Sequence, residues 1–169
     1  MHQFAAKLRT ALLTRPNWTD GILTLREMIW LVPTLGICVA LSDTMQWSPV
    51  FDASTLRLAL VAILIPSLGE ELLFRVALLP KPEPETAMPK VRFAAALVLF
   101  VLWHPLQALF TTDARAAIFL DPWFLLAVAA LGAACTRIYW ASRSIWPAVF
   151  LHWLAVIGWK ALAGGPELL

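Results

Sequence analysis

Charged residues are scarce in this chain. Lys, Arg, Asp and Glu make up 14% of its 169 residues and hydrophobic residues make up 60%, whereas soluble domains have about a quarter charged residues. This composition argues against a water-soluble fold, because few polar side chains are left to face water. We therefore expect a membrane protein.

Two further shortages argue against other classes of protein. The net charge is only +2, and the basic residues lie between apolar stretches rather than in one patch, so we expect no nucleic-acid partner. The chain has two cysteines, Cys38 and Cys135, both inside apolar stretches and without CxxC spacing. That pattern is typical of small packing residues rather than of a redox or metal site.

Long apolar stretches dominate the rest of the sequence. A hydrocarbon core about 30 Å thick needs about 20 mostly apolar residues per helix. The sequence predicts an all-α polytopic helical bundle, one membrane domain over residues 1–169, with about five spans. These spans are residues 23–41, 58–79, 93–110, 119–139 and 145–162. Residues 1–20 precede them, and their apolar residues recur at helical spacing, which predicts an amphipathic helix at the membrane interface.

The positively charged residues predict the orientation of these spans. Most of them fall on one side of the predicted membrane: Lys7, Arg9, Arg15, Arg26, Lys81, Lys90, Arg92, Arg137 and Arg143. The other side has Arg57, Arg115 and Lys160. Because cytoplasmic loops carry the excess of Lys and Arg, we expect a cytoplasmic N-terminus.

Few ionisable residues lie inside the predicted spans. The second span contains Glu70, Glu71 and Arg75, the third contains His104, and the fifth contains His152. Counted at about 1.5 Å per residue from the cytoplasmic ends, Glu70, His104 and His152 lie about 15, about 18 and about 12 Å deep. Since buried charge is expensive in hydrocarbon, similar depth on three spans predicts one functional site.

The two glutamates should have different roles. They point about 100° apart on a helix, and Glu71 is the i, i+4 neighbour of Arg75. That pairing would leave Glu70 to face a cavity as the reactive carboxylate. The alternative is that Glu71 and Arg75 form only a polar clamp, and that each histidine is a packing residue.

Three motifs follow one another in the apolar core. They are Glu70-Glu71-x-x-x-Arg75, Phe100-x-x-x-His104, and His152 after the run SIWPAVFLH. Together they resemble the glutamic-type intramembrane proteases that include type II CAAX prenyl endopeptidases and bacterial bacteriocin-processing or immunity proteins, the CPBP or ABI family. The resemblance covers residues 58–162, the protease-like core.

The resemblance implies catalytic roles for particular residues. Glu70 would activate a water with help from His104, while His152 would hold the oxyanion or the water, and Glu71 and Arg75 would support the site. The implied activity is that of an intramembrane endopeptidase with a peptide or protein substrate, lipidated or membrane-embedded. The implied location is integral to the lipid bilayer, in the bacterial inner or plasma membrane.

The chain departs from the family pattern after His152. The family usually has Asn or Asp four residues later, but this chain has Val156, whose side chain cannot donate a hydrogen bond. Gln107, which shares a helix face with His104, is the predicted substitute, and Ser67 is the second choice. In the alternative interpretation, both side chains only satisfy backbone groups.

Three alternatives remain open at this point. We expect no cofactor and no metal, but Glu70, His104 and His152 could instead bind zinc as a His₂Glu set. The chain could also be a non-catalytic relative that binds a peptide or partner protein or confers immunity, with Val156 marking the lost chemistry. A small proton-coupled transporter is the third alternative, which the absence of an internal repeat argues against.

Overall fold

The computed structural model describes residues 2–83, 86–111 and 116–164. These residues form helices and no strand, so the predicted all-α fold is confirmed. The α-helices are α1 (His2–Leu13), α2 (Trp18–Leu41), α3 (Ala53–Ala62), α4 (Gly69–Glu71), α5 (Lys90–Ala108), α6 (Ala116–Leu120), α7 (Pro122–Ser142) and α8 (Trp146–Ala163). Two wider π-type segments, π1 (Ile63–Leu68) and π2 (Leu72–Ala77), flank α4.

Among the described residues, four helices are long and apolar enough to cross a membrane: α2, α5, α7 and α8. They correspond to the first, third, fourth and fifth predicted spans. Helix α2 begins at Trp18, earlier than predicted, because Asn17 and Asp20 form a capping box. The side chain of Asn17 accepts from the Asp20 N–H, and the carboxylate of Asp20 accepts from the Asn17 N–H.

The predicted second span, 58–79, is not one regular helix. Ile65 has extended backbone angles, φ −132° and ψ 116°, between α3 and α4. The cause is Pro66, since a proline disfavours helical angles in the residue before it and cannot donate a backbone hydrogen bond. The prediction of a regular helix is therefore wrong here. The break separates α3 from residues 69–77, which carry Glu70, Glu71 and Arg75.

Helix α7 lies at the centre of the bundle. It packs against α2, α5, α6 and α8. The buried residues of α7 and α8 include small ones: Ala134, Cys135 and Ala148 have no exposed surface. Small residues allow close approach of membrane helices, so Cys135 is a packing residue as predicted.

Glu27, in the first predicted span, is paired with a residue of α7. Glu27 is buried and accepts hydrogen bonds from Arg137, with Nη2 of the arginine 2.7 Å from Oε2 of the glutamate. The Arg137 guanidinium also lies 4.9 Å from the Trp30 ring. Pairing reduces the free energy needed to keep Glu27 inside an apolar helix, so the acidic residue in α2 is compatible with a spanning helix.

Helix α1 packs on the end of the bundle that holds most of the basic residues. Ala11 is buried, and its carbonyl oxygen accepts from the Ile145 N–H at 3.0 Å. The Lys7 ammonium donates to the carbonyl oxygens of Ala77 and Leu79, just after π2. The predicted N-terminal helix therefore exists. Its position at the membrane interface and the cytoplasmic orientation stay predictions, and Arg115 lies outside the described residues.

A polar cluster joins α2 to α7 at the opposite end. Asp121 caps α7 by accepting from the N–H of Trp123 at 2.7 Å and that of Phe124. Its other oxygen accepts from the hydroxyls of Ser42 at 2.6 Å and Thr44. Burial raises the pKa of the Asp121 carboxyl, but these four hydrogen bonds outweigh burial, so the pKa is lower than its ordinary value.

Replacing Asp121 with Asn should reduce stability only where the carboxylate is ionised. Asn retains a helix N-cap but loses the charge that strengthens the bonds from Ser42 and Thr44. Because the folded pKa is lowered, the stabilisation is present above about pH 4 and is lost as the pH falls through the folded pKa. We expect a lower melting temperature than wild type at pH 7, and a difference that disappears under acid. Asp43→Asn, in the same loop, should follow wild type; an Asp121→Asn deficit that is constant with pH would contradict the assignment.

Candidate active site

A cavity of about 1560 Å³ lies between α2, α5, α7, α8 and the segment that follows the break at Ile65. Most of its wall consists of apolar side chains. Four polar residues named from the sequence line it: Glu70, His104, Gln107 and His152. Glu70, His104 and His152, for which a similar depth is predicted, thus share one cavity, while their depth in the membrane stays a prediction.

Glu71 is fully buried and contacts two cationic or titratable side chains. Its Oε2 lies 3.1 Å from Nε of Arg75, and its Oε1 lies 2.8 Å from Nδ1 of His152. The predicted contact between Glu71 and Arg75 is therefore present. Because a carboxylate oxygen can only accept, Nδ1 of His152 carries a proton, and Glu71 fixes the orientation of the imidazole.

Arg75 is held in turn by α5 and α7. Its Nη2 donates to the Gly132 carbonyl oxygen at 3.0 Å, and its guanidinium lies 4.3 Å above the Phe100 ring. A Cβ at Gly132 would lie 2.7 Å from Cδ1 of Phe100, closer than atoms can approach. Sequence reasoning missed Gly132; its only signal was a glycine inside an apolar span, which often marks close helix packing.

Glu70 faces the cavity, and its side chain is 12% exposed. Its Oε1 accepts from the indole Nε1 of Trp103 at 3.1 Å, and its Oε2 lies 3.8 Å from Nε2 of His152. The buried Oε2 has no hydrogen-bond partner among the described residues. Sequence reasoning missed Trp103, although an indole beside His104 inside a span was a visible signal.

His104 is buried beside the same group. Its Nδ1 lies 2.9 Å from the Phe100 carbonyl oxygen, which can only accept, so Nδ1 carries a proton and Nε2 is the nitrogen left for another partner. The Phe100 ring lies edge-on to both histidines, with centroids 5.2 Å from His104 and 6.0 Å from His152. Phe100 thus packs against both imidazoles.

The structure also places the residues proposed to replace the missing family amide. Val156 is 8% exposed and lines the cavity after His152 on α8. Gln107 lines the same cavity, while Ser67 is fully buried and its hydroxyl has no hydrogen-bond partner among the described residues. The substitution of Gln107 or Ser67 for the amide stays a prediction.

Within the described ranges, no three His, Cys, Asp or Glu side chains are arranged so that they could hold a metal ion. Nδ1 of His104 and Nδ1 of His152 have the protein partners given above. The absence of a metal from the reaction stays a prediction.

Comparison with known families decides the class of protein. A model of the type II CAAX prenyl endopeptidase Rce1-like family matches residues 52–157, more than half of the chain. The chain belongs to this family. No curated protein and no solved structure matches it.

Membership in the CAAX prenyl endopeptidase family confirms the resemblance found in the three motifs. The matched range begins at the N-cap of α3 and includes Glu70, His104, His152 and Val156. Family membership and the apolar helices make the chain an integral membrane protein of a protease family, with a peptide or protein substrate. The bacterial source stays a prediction.

Adding a methyl group at Gly132 should disturb the site through Phe100. The new Cβ would force apart α5 and α7, so that Phe100 and the Arg75 contact with the Gly132 carbonyl are displaced. We expect Gly132→Ala to lower the free energy of unfolding by about 1–3 kcal/mol. Denaturant titration in detergent measures this change.

Gly21→Ala is the matched control, since a Cβ there would meet nothing within 4 Å. It should be neutral or slightly stabilising, because Ala is the better helix former. Equal stability of Gly132→Ala and wild type would show that α5 can move without disturbing the bundle, contrary to the close approach described.

Proposed function

We propose that the chain is an intramembrane endopeptidase that hydrolyses a peptide bond with a water activated by Glu70. The observation that carries this proposal is the difference between the two glutamates. Glu71 is engaged by Arg75 and His152, whereas Glu70 lines the cavity with Oε2 unbonded beside Nε2 of His152. A carboxylate with a free oxygen in a cavity is suited to general-base catalysis.

The proposed reaction needs one base and groups that stabilise developing negative charge. Glu70 takes a proton from water, and the water oxygen attacks the scissile carbonyl carbon. The C–N bond then breaks, and the proton passes from Glu70 to the leaving amine. His104 assists the activation of water, and His152, oriented by Glu71, holds the water or the oxyanion. Arg75 supports the site through Glu71.

The cavity and the family both support the substrate class that we propose. Apolar side chains form most of the cavity wall, so a membrane-embedded or lipidated peptide could enter without exposing apolar surface to water. Because the family is named for CAAX prenyl endopeptidases, peptides with prenylated CAAX-type C-terminal tails are the first substrates to assay. We propose no particular cleavage sequence.

Glu70→Gln should strongly reduce hydrolysis while the protein stays folded. An amide cannot take the proton from water, so we expect kcat to fall by about 10²- to 10⁴-fold, with a melting temperature close to that of wild type. Glu71→Gln should lower both activity and melting temperature, because it weakens the contacts with Arg75 and His152. Cleavage is measured with purified protein in proteoliposomes, on a farnesylated CAAX peptide and a panel of membrane-segment peptides.

The control is Glu27→Gln, which alters a buried carboxylate outside the cavity and should lower stability without a comparable loss of kcat. Wild-type turnover that survives Glu70→Gln would contradict the mechanism. Binding of the peptides without any cleavage by wild type would favour the non-catalytic alternative. The same assay in EDTA tests whether the reaction needs a metal. We propose that the protein keeps full activity in EDTA. A loss of activity that zinc restores would favour zinc bound at Glu70, His104 and His152.

Restoring the family amide should raise activity. Val156 supplies no donor at the cavity wall, and one oxyanion donor is worth about 10²- to 10³-fold in rate where nothing replaces it. If Gln107 already replaces the missing amide donor, Val156→Asn should raise kcat by less than about tenfold. Gln107→Ala should then lower kcat. We expect this smaller gain. The control is Val156→Leu, which keeps the cavity wall apolar and should leave kcat unchanged.

A further inference from the structure

Trp103 makes the direct hydrogen bond to the proposed base. Its indole N–H donates to Oε1 of Glu70 at 3.1 Å, across the gap between α5 and the segment that follows the break at Ile65. The other carboxylate oxygen, Oε2, has no such bond within the part of the chain that the structure describes. The two oxygens of Glu70 are therefore not equivalent.

We propose that Trp103 is a positioning residue that fixes the Glu70 carboxylate and keeps Oε2 directed to His152, an inference that rests on the proposed role of Glu70. A glutamate side chain has three rotatable bonds, so its carboxylate samples several orientations unless a partner holds it. A bond from an N–H to an ionised carboxylate is stronger and more directional than a neutral one. The indole thus selects which oxygen faces the reacting water.

The indole is itself held by aromatic packing. Its ring lies 6.4 Å from that of Phe74, and Phe74 packs edge-on against Phe100 at 5.2 Å. Phe74 and Phe100 are both buried. Because the same Phe100 ring supports Arg75 and lies beside both histidines, the position of Trp103 is tied to the rest of the site. Precise positioning of a base is worth large factors in rate.

If Trp103 had a purely apolar role, its indole N–H would not be needed for the reaction. The ring is 40% exposed and lines the cavity, so it could serve only as wall or lipid-facing surface. Phe retains the aromatic surface and removes the N–H. Replacement by Phe therefore separates the two roles.

Trp103→Phe should lower kcat by about 10- to 100-fold, with KM within about twofold of wild type. Trp146→Phe is the control: it also removes an indole N–H donor, but one that lies away from the cavity and donates to the backbone oxygen of Leu12 at 2.9 Å. It should leave kcat unchanged.

In a Glu70→Asp background, where the shorter carboxylate cannot keep the same bond, Trp103→Phe should have much less effect on kcat. Equal kcat for Trp103→Phe, Trp146→Phe and wild type, or an undiminished effect in the Glu70→Asp background, would overturn the proposal.

A second measurement tests the contact without activity. In protein with ¹⁵N-labelled tryptophan, one indole N–H resonance should move clearly when Glu70→Gln replaces the charged acceptor, and the Trp146 resonance should stay in place. No moving resonance would overturn the proposal, even if Trp103→Phe failed to fold. If wild type cleaves no peptide, the proposed function fails, and this spectrum still decides the Trp103 contact.

Discussion

The buried carboxylate of Glu71 is the interaction on which the rest of the site depends. It joins Arg75 on its own segment to His152 on α8, and Arg75 extends the connection to the Gly132 carbonyl on α7. In an apolar interior, an ionised group without a partner is strongly destabilising, by about 3–5 kcal/mol when one partner of a buried pair is removed. The helices are therefore held in the one arrangement that satisfies these charges together.

This constraint explains why the side chains of the adjacent glutamates, Glu70 and Glu71, point in different directions. With Glu71 directed into the bundle, the helical rotation between neighbours turns Glu70 toward the cavity. The break at Ile65 contributes to the same result, because residues 69–77 need not continue the axis of α3. The segment can then take the position that its buried charges require, while α3 packs on α8 independently. In a regular helix across residues 58–79, the packing of α3 on α8 would also determine the position of residues 69–77.

Much of this arrangement could be predicted from residue types and spacing. Apolar length predicts four of the spanning helices, and i, i+4 spacing predicts the contact of Glu71 with Arg75. What could not be predicted depends on contacts between helices distant in sequence. An indole beside His104 and a glycine inside an apolar span are visible in the sequence, but neither signal identifies the contact of Trp103 with Glu70 or that of Gly132 with Phe100. The broken second span was missed for another reason, since apolarity outweighed the local effect of Pro66.

Val156 stands where the family resemblance predicts Asn or Asp, and it lies outside the ionic contacts of the site. The contacts that hold Glu71 come from Arg75 and His152, and position 156 is not among them. Val156 instead forms part of the cavity wall, where an apolar side chain leaves no buried polar group unsatisfied. A change there alters what the cavity offers to a substrate without disturbing the ionic contacts that position the helices. The stability of the bundle therefore depends directly on Glu71 and Arg75, whereas Glu70, Trp103 and residue 156 serve the reaction in the function that we propose.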